Sequence, residues 1–370
     1  MDLRSPINIT TREEYWPALM NDLWFTRDPW FARLRESAQL WHGGRFIRSV
    51  FRFRPMAGGG HYKMGAVHTN TKVQTIADGA FELKFFQQPI VEFKEELQVF
   101  NKGDNAIFSI LDEDLSNALE TAEDHISYAL LGSGSVDDSL PDGLSAMIGD
   151  GVLPSWDGTV ATNYAGVARS DFSGGQMNGN IFWAGTPTGK LGDINFPKME
   201  RAYRKCCRGS KEPDLIMTNH LGFSAMLNKI EPQYRYEEAV DPMWGGSGYR
   251  FHKAYVMTNE HCPTSEGLDA DENFDVGNFK TGTITNPVAV TKNGFPIVGA
   301  APTLDIGEPI FILNTGEHIF RLDDDPEYAF GFSGFLGNQD SERVVGRIKV
   351  AYALQGLGSR YNGLVLGVGG

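Results

Sequence analysis

The feature that most constrains the fold is a long β-ribbon that leads into a long amphipathic helix. Residues 44–54 alternate with period two, the glycine-rich run 55–60 interrupts them, and an extended segment returns through residues 80–86. The two faces of the first strand differ in chemistry, with Ile47, Ser49, Phe51 and Phe53 on one side and Arg48, Val50, Arg52 and Arg54 on the other. An isolated hairpin is marginally stable in water, so the ribbon needs another surface to lie on. No neighbouring stretch of the chain is an obvious cover, and the pattern therefore predicts contact with a second copy of the chain.

The helix that follows is predicted over residues 105–131. Its apolar residues keep the i, i+4, i+7 spacing of one buried stripe, which consists of Ile107, Leu111, Leu115, Ala118, Leu119, Ala122, Ile126, Ala129 and Leu130. The opposite face is acidic and carries Glu113, Asp114, Glu120, Glu123 and Asp124. The turn 101–105 can cap the helix, and Gly132 can end it. Such a helix is about 40 Å long, which is the length of a whole domain.

Composition excludes several classes of protein. The chain has 370 residues, which suggests one large or two ordinary domains, and a net charge of −14, which argues against tight phosphate-driven binding. Its three cysteines, Cys206, Cys207 and Cys262, form no disulfide framework, so we expect folding in a reducing compartment such as a bacterial cytoplasm. No segment approaches the roughly 20 apolar residues of a membrane span, and we expect no membrane partner.

The rest of the chain divides into segments of different composition. Residues 1–43 are rich in tryptophan and form either an arm that docks on a neighbour or a helix that packs on its own domain. Residues 140–262 have mixed α/β character, with a helix opened by Asn195 and Pro197, a strand at 214–218, a helix at 220–230 and a strand at 249–257. Residues 263–305 are interpreted as an insertion, whose Asn293-Gly294 pair is typical of a hairpin turn. Strands are predicted again at 309–314, 318–321 and 343–354.

Motifs of catalysis and metal binding fail on inspection. The run 185–191 resembles a phosphate-binding loop but has the wrong glycine spacing and a leucine where Mg²⁺ needs a hydroxyl. The acidic run that begins at Asp269 lacks the glycine and the final glutamate of a calcium loop. Cysteines and histidines show no zinc spacing, and Ser247 lacks the closing glycine of a nucleophile elbow. We therefore expect no enzyme, and no catalytic, cofactor or metal site.

One helix in the central region has a basic face. Its cations are Lys198, Arg201, Arg204, Lys205 and Arg208. Such a face could touch nucleic acid, but it is more often solvated or paired with acidic neighbours.

The order of these elements resembles a tailed-phage major capsid protein of the HK97 fold. The resemblance rests on Gly43-Gly44-Arg45 at the start of the ribbon, 81–84 and 89–91 on its return, and 100–103 before the helix. Further support comes from the segments 213–217, 312–315 and 359–364, so that the resemblance covers about residues 40–262 and 306–370.

The resemblance implies an α+β fold with four named parts and an insertion. These are an N-terminal arm (1–43), an extended β-hairpin loop (44–90), a peripheral domain (91–139 and 306–370) built on the spine helix (105–131), a central axial domain (140–262) and the insertion (263–305). It implies that arm and hairpin loop overlap adjacent subunits. The expected interface residues are Arg45, Arg48, Arg52, Arg54, Phe51, Phe53, Trp24 and Trp30, with Glu120, Glu123 and Asp124 of a neighbouring spine helix as acidic partners.

The resemblance also implies partners. We expect hexamers and pentamers that form an icosahedral phage head around non-specifically held dsDNA, in a virion assembled in the host bacterial cytoplasm. Because the chain begins at the arm, a separate scaffolding protein is expected, together with a portal and, in some members, a decoration protein. One relative crosslinks its shell by a Lys–Asn bond, for which only Lys63 or Lys72 with Asn362 would be candidates here. An encapsulin-type shell and a small-oligomer α/β enzyme remain as alternatives.

Overall fold

The fold is seen in a computed structural model. The structure describes residues 28–52, 56, 61–65, 72–93, 106–134, 139–153, 155–156, 159–171, 177–184, 192–230, 249–259, 261–262, 289–292, 295–298, 307–334, 336–337 and 343–368. The predictions for the arm before residue 28, for the helix-capping turn 101–105 and for most of the insertion concern residues outside this set.

Five α-helices and eighteen strands are present in the described part of the chain. The helices are α1 (Pro29–Glu36), α2 (Ala106–Leu131), α3 (Leu144–Ile148), α4 (Phe196–Cys206) and α5 (His220–Ile230). The first nine strands are β1 (Gln39–Trp41), β2 (Phe46–Arg52), β3 (Ile76–Glu82), β4 (Lys84–Phe93), β5 (Asn163–Tyr164), β6 (Val167–Ala168), β7 (Asn180–Trp183), β8 (Leu215–Thr218) and β9 (Tyr249–Phe251). The others are β10 (Ala254–Thr258), β11 (Ala289–Lys292), β12 (Phe295–Val298), β13 (Ile310–Leu313), β14 (His318–Asp323), β15 (Ala329–Phe332), β16 (Leu336–Gly337), β17 (Arg343–Gly356) and β18 (Gly363–Leu366).

The ribbon of β2 and β3 is antiparallel, with Phe46 opposite Glu82 and Arg52 opposite Ile76. Its return strand therefore begins at Ile76, four residues before the predicted start at residue 80. After Leu83 the chain changes sheets, and β4 pairs along ten residues with β17. The predicted return strand 80–86 is thus the end of one strand and the start of another.

The spine helix α2 agrees with the sequence prediction. It spans Ala106–Leu131, and every described member of the predicted apolar stripe, from Leu115 to Leu130, is buried. The acidic face is only partly confirmed, because Glu123 is 1% exposed while Glu120 and Asp124 are half-buried. The prediction that Glu123 lies on an exposed face is wrong. It lies close enough to Arg35 of α1 that its charge offsets part of the lowering of the Arg35 pKa by burial.

Two six-stranded sheets form the body. The first joins β1, β14, β17 and β15, with β4 and β16 also paired to β17, and packs on α2. The second has the order β7-β18-β13-β8-β10-β9. Strands β13 and β18 were predicted to lie with the spine helix in the segment 306–370, and that assignment is wrong. Both strands are fully buried and complete the central sheet instead.

The central sheet is covered on both faces, which explains why its strands read as continuous apolar runs. Along β8, Leu215 and Met217 face one core together with α1, α2 and α3, and Ile216 faces a second core together with α4 and α5. The predicted strand 249–257 is a hairpin of β9 and β10, because His252 adopts φ +54° at the turn. The predicted hairpin in the insertion is confirmed by the pairing of β11 with β12.

Helix α1 joins three elements through one buried carboxylate. Asp28 is 1% exposed and caps α1 by accepting from the backbone N–H of Trp30 (2.9 Å) and of Phe31 (3.1 Å). It also accepts from Ser127 Oγ of α2 and from Asn259 Nδ2 beyond β10 (2.9 Å).

No helix in the described residues combines the length and apolar character that a membrane crossing requires.

Replacing Asp28 by alanine is expected to lower the free energy of unfolding of the isolated subunit by about 2–4 kcal/mol. The substitution removes a helix cap and leaves Ser127 and Asn259 without their acceptor in the core. Urea denaturation followed by circular dichroism measures the loss. As a control, Asp324→Ala removes an exposed carboxylate and its bond to His42 and is expected to leave the free energy of unfolding nearly unchanged. Equal losses in the two variants would contradict the role given to Asp28.

Candidate functional site

The inner face of the ribbon, defined as the side of β2 and β3 that carries Ile47, Ser49 and Phe81, packs on the chain's own body. All three residues are buried. The ring of Phe81 lies edge-on to Tyr164 with centroids 5.5 Å apart, and the amide of Ala80 donates to the carbonyl of Ala165 at 2.9 Å. The expectation that no part of the same chain covers the ribbon is therefore wrong for 46–52 and 76–82.

One polar contact holds the inner face to the first sheet. Gln355 Nε2 of β17 donates to Ser49 Oγ in a buried bond between residues 306 positions apart. Next to it, Phe51 lies across Gly79, where an added Cβ would come within 2.4 Å of the Phe51 ring. Only glycine permits this close approach. Sequence reasoning missed both contacts, since neither leaves a local signal.

The outer face of the ribbon carries apolar and basic side chains in alternation. Phe46, Val50 and Ile76 are 45%, 72% and 49% exposed, and Arg48 and Arg52 are exposed between them. Near the tip, Met56, Tyr62 and Met64 are also largely exposed. Exposed apolar side chains grouped on one element are typical of a surface that another molecule covers. The sequence pattern put Val50 on this face but did not single it out as a contact residue.

Two of the ribbon arginines have partners within the ribbon. Arg45 Nε lies 2.7 Å from Glu82 Oε1, and Arg48 lies 2.9 Å from Asp78 Oδ2. The bond from Arg45, followed by that from Lys84, lowers the pKa of Glu82. These pairs are exposed, so each stabilises the hairpin by no more than about 1 kcal/mol. Pairing of Arg45, Arg48 and Arg52 with a neighbouring spine helix stays a prediction.

The other predicted interface residues lie in several different environments. Trp30 is fully buried in its own chain, where α1 packs against β14, so its prediction as a contact on a neighbour is wrong. Helix packing on the chain's own domain is what the structure shows for residues 29–36. Phe51 is half-buried on the inner face. Trp24, Phe53 and Arg54 lie outside the described residues. Asp124 lies 3.5 Å from His261, within its own subunit.

The candidate crosslink residues are not brought together. Lys63 and Lys72 are exposed, but Asn362 is fully buried. Its Oδ1 accepts from the amide of Asn314 at 2.8 Å and lies 3.1 Å from His318 Nε2, and its Nδ2 donates to the carbonyl of Gly358 at 3.0 Å. An attacking lysine would have to break this set of bonds first.

The cluster around Asn362 contains a buried histidine. His318 is 1% exposed, and its Nδ1 has no hydrogen-bond partner among the described residues. Burial lowers the pKa of His318 to about 4, partly offset by the bond to Asn362. The imidazole is therefore neutral at pH 7.

Metal ligation finds no support in the part of the chain that is described. No group of three or more ligating side chains occurs there. Cys206 and Cys262 are buried free thiols, and Cys207 is a half-buried free thiol. Burial raises the pKa of Cys206 to about 12, so this thiol is not a nucleophile at neutral pH.

The comparisons with known proteins show similarity in structure only. No protein-family model and no curated protein matches the sequence. The capsid of cyanophage A-1(L) is similar with a TM-score of 0.60 and 12% identity, covering 93% of this chain and 93% of that one. The capsid of a native GTA particle is similar with a TM-score of 0.53 and 12% identity, covering 91% and 90%. The SrpI encapsulin of Synechococcus elongatus gives 0.50 and 9%, covering 90% and 86%.

These similarities run over almost the whole of each chain. The chain therefore has the α+β, HK97-like fold of capsid proteins, as the sequence predicted.

Acid is expected to destabilise the subunit through His318. Between pH 6.5 and about 4 the unfolded chain binds a proton at this histidine that the folded chain does not, so the free energy of unfolding falls as the pH falls. The loss attributable to His318 is of the order of 3 kcal/mol at pH 4. Urea denaturation of the wild type and of His318→Gln from pH 7 to pH 4 measures this loss. It appears as the difference between the two proteins in the slope of unfolding free energy against pH.

The matched control is His220→Gln, at an exposed position on α5. Because His318 is unchanged in this variant, it should lose stability in acid as the wild type does. A His318→Gln profile with the same loss would contradict the assignment.

Proposed function

We propose that this chain is the major capsid protein of a tailed bacteriophage, and that it assembles as hexamers and pentamers into an icosahedral head enclosing dsDNA. The observation that carries the proposal is the two-faced ribbon on an HK97-like fold. Its inner face is held to the body by the contact between Ser49 and Gln355, and its outer face presents Phe46, Val50 and Ile76 to solvent. A ribbon fixed on one side can present the other side to a neighbour without having to fold on binding.

The energetics suit a shell of many weak contacts. Full burial of one large aliphatic or aromatic side chain contributes about 1.5–3 kcal/mol. Three such residues offset only part of the entropy lost when two subunits associate. A closed assembly repeats the contact around every subunit, so modest pairwise affinity is sufficient for a stable particle.

The further partners belong to the same proposal. A separate scaffolding protein, a portal and a decoration protein are expected of such a head, and assembly is expected in the host bacterial cytoplasm. The dsDNA is expected to be held without sequence preference. The proposal assigns the chain no catalytic role.

An encapsulin-type shell is the second candidate, supported by the similarity to the SrpI encapsulin. Electron microscopy of particles produced with the complete set of neighbouring genes separates the two functions. Heads filled with DNA support the phage capsid, and shells that enclose protein support the encapsulin. A small oligomer that never forms shells would contradict both shell functions and favour the alternative of a small-oligomer α/β enzyme.

Val50→Asp is expected to abolish shell assembly while leaving the subunit folded. Val50 is 72% exposed, so the carboxylate costs little in the free subunit, whereas it would be buried without a partner in the proposed contact. Negative-stain microscopy and sedimentation measure assembly, and circular dichroism measures folding. Val152→Asp is the matched control, because Val152 is 76% exposed in the loop after α3, which is not part of the ribbon. Normal shells from Val50→Asp would overturn the role of the outer face.

Reversing Arg48 and Arg52 to glutamate is also expected to block assembly with the helix content unchanged. Because Arg48 pairs with Asp78 in its own ribbon, the control adds Asp78→Arg to restore an ion pair inside the hairpin. If the arginines act across subunits, the control still fails to assemble. Recovery of assembly in the control would show that Arg48 only stabilises its own hairpin.

A further inference from the structure

Helix α4 concentrates positive charge on one exposed face of an acidic chain. Between residues 192 and 230 the sequence has seven lysines and arginines against four aspartates and glutamates, while the whole chain has a net charge of −14. The basic face of α4 is the name given to Lys198, Arg201, Arg204 and Lys205 on the helix together with Arg208, two residues beyond its end; all five are exposed.

The helix is held in place by its opposite face. Met199, Ala202, Tyr203 and Cys206 are buried against the central sheet. Asn195 caps the start of the helix by accepting from the amide of Lys198 at 3.1 Å. The four cations from Lys198 to Lys205 are therefore presented on a fixed element, over about 10 Å of helix.

Only part of this charge is neutralised within the subunit. Arg204 pairs with Glu200 at 2.7 Å, and Lys205 Nζ lies 5.1 Å from the centre of the Phe182 ring. No ion pair of Arg201, Lys205 or Arg208 occurs among the described residues. At physiological ionic strength charges more than about 8–10 Å away are screened, so the acidic remainder of the chain does not cancel the local field.

The chemistry of the basic face differs from that of the ribbon. The described residues 196–211 include no large apolar side chain that is exposed, whereas the outer face of the ribbon exposes three. Protein interfaces need an apolar or aromatic centre, while contacts to a phosphate backbone need only placed cations. The basic face thus fits a polyanion better than a second copy of the chain.

We propose that the basic face of α4 contacts the phosphate backbone of double-stranded DNA, without reading its sequence. The inference rests on the proposed function and adds the surface through which the shell meets its contents. Arg201 and Lys205 are the cations whose substitution gives the clearest test, since neither forms an ion pair within the described part of the subunit.

The first test measures binding of the purified full-length chain to a labelled 30-base-pair duplex of arbitrary sequence, by fluorescence anisotropy at increasing salt. The double variant Arg201→Gln/Lys205→Gln is expected to reduce the slope of log affinity against log salt by about two, one for each lost phosphate contact. The control Lys72→Gln/Arg347→Gln removes the same charge from exposed positions outside α4 and should leave the slope unchanged. Equal slopes for both variants, or no binding by the wild type at about 50 mM salt, would overturn the inference.

The second test uses assembled particles and separates this inference from the proposed function. Lys205 is expected to be protected from acylation in DNA-filled particles and to become reactive once the DNA is removed, as read by mass spectrometry. Protection in both filled and empty particles would mean that a neighbouring copy covers the helix, and reactivity in both would mean that nothing does. Either result, obtained with shells that still form, would contradict the DNA contact and leave the proposed function standing. Failure to form shells would contradict the proposed function itself.

Discussion

Strand β17 is the element on which the first sheet and the ribbon both depend. Its fourteen residues pair with β4, β14, β15 and β16, and its inward side chains pack on the spine helix. Near its end, Gln355 reaches the ribbon at Ser49. Continuous pairing on this scale fixes the direction in which β4 leaves the ribbon, so the ribbon projects from a rigid base.

This attachment changes how the ribbon has to be understood. A free hairpin would have to order itself on a neighbour and lose conformational entropy in doing so. Here the root of the hairpin is already ordered by its own chain, through Ile47, Phe81 and the close approach of Phe51 to Gly79. The contact with another molecule then costs less, and the outer face with Val50 at its centre is the surface available for it.

Local patterns in the sequence predicted the elements well and their partners poorly. The 3.6-residue period located the spine helix within a residue of its observed ends, and Asn195 with Pro197 located the start of α4. The ribbon's cover was missed because Gln355 lies 306 positions away, and no local pattern encodes that distance. Residues 310–313 and 363–366, which form β13 and β18, were grouped with the spine helix and not with the central sheet for the same reason. Glu123 was placed outside because helical periodicity cannot show that α1 packs over that turn.

Sequence patterns also could not distinguish the outer face of the ribbon from the basic face of α4, since both carry arginine. The chemistry of each surface becomes clear once the exposure of its side chains is known. Exposure separates them: the ribbon presents Phe46, Val50 and Ile76 among its cations, and α4 presents cations alone. Burial of apolar side chains is short-ranged and requires a partner surface of matching shape, whereas attraction between cations and phosphates persists while DNA slides along the surface. In the proposed shell the two surfaces have separate tasks: the outer face of the ribbon contacts another subunit, and the basic face of α4 contacts DNA.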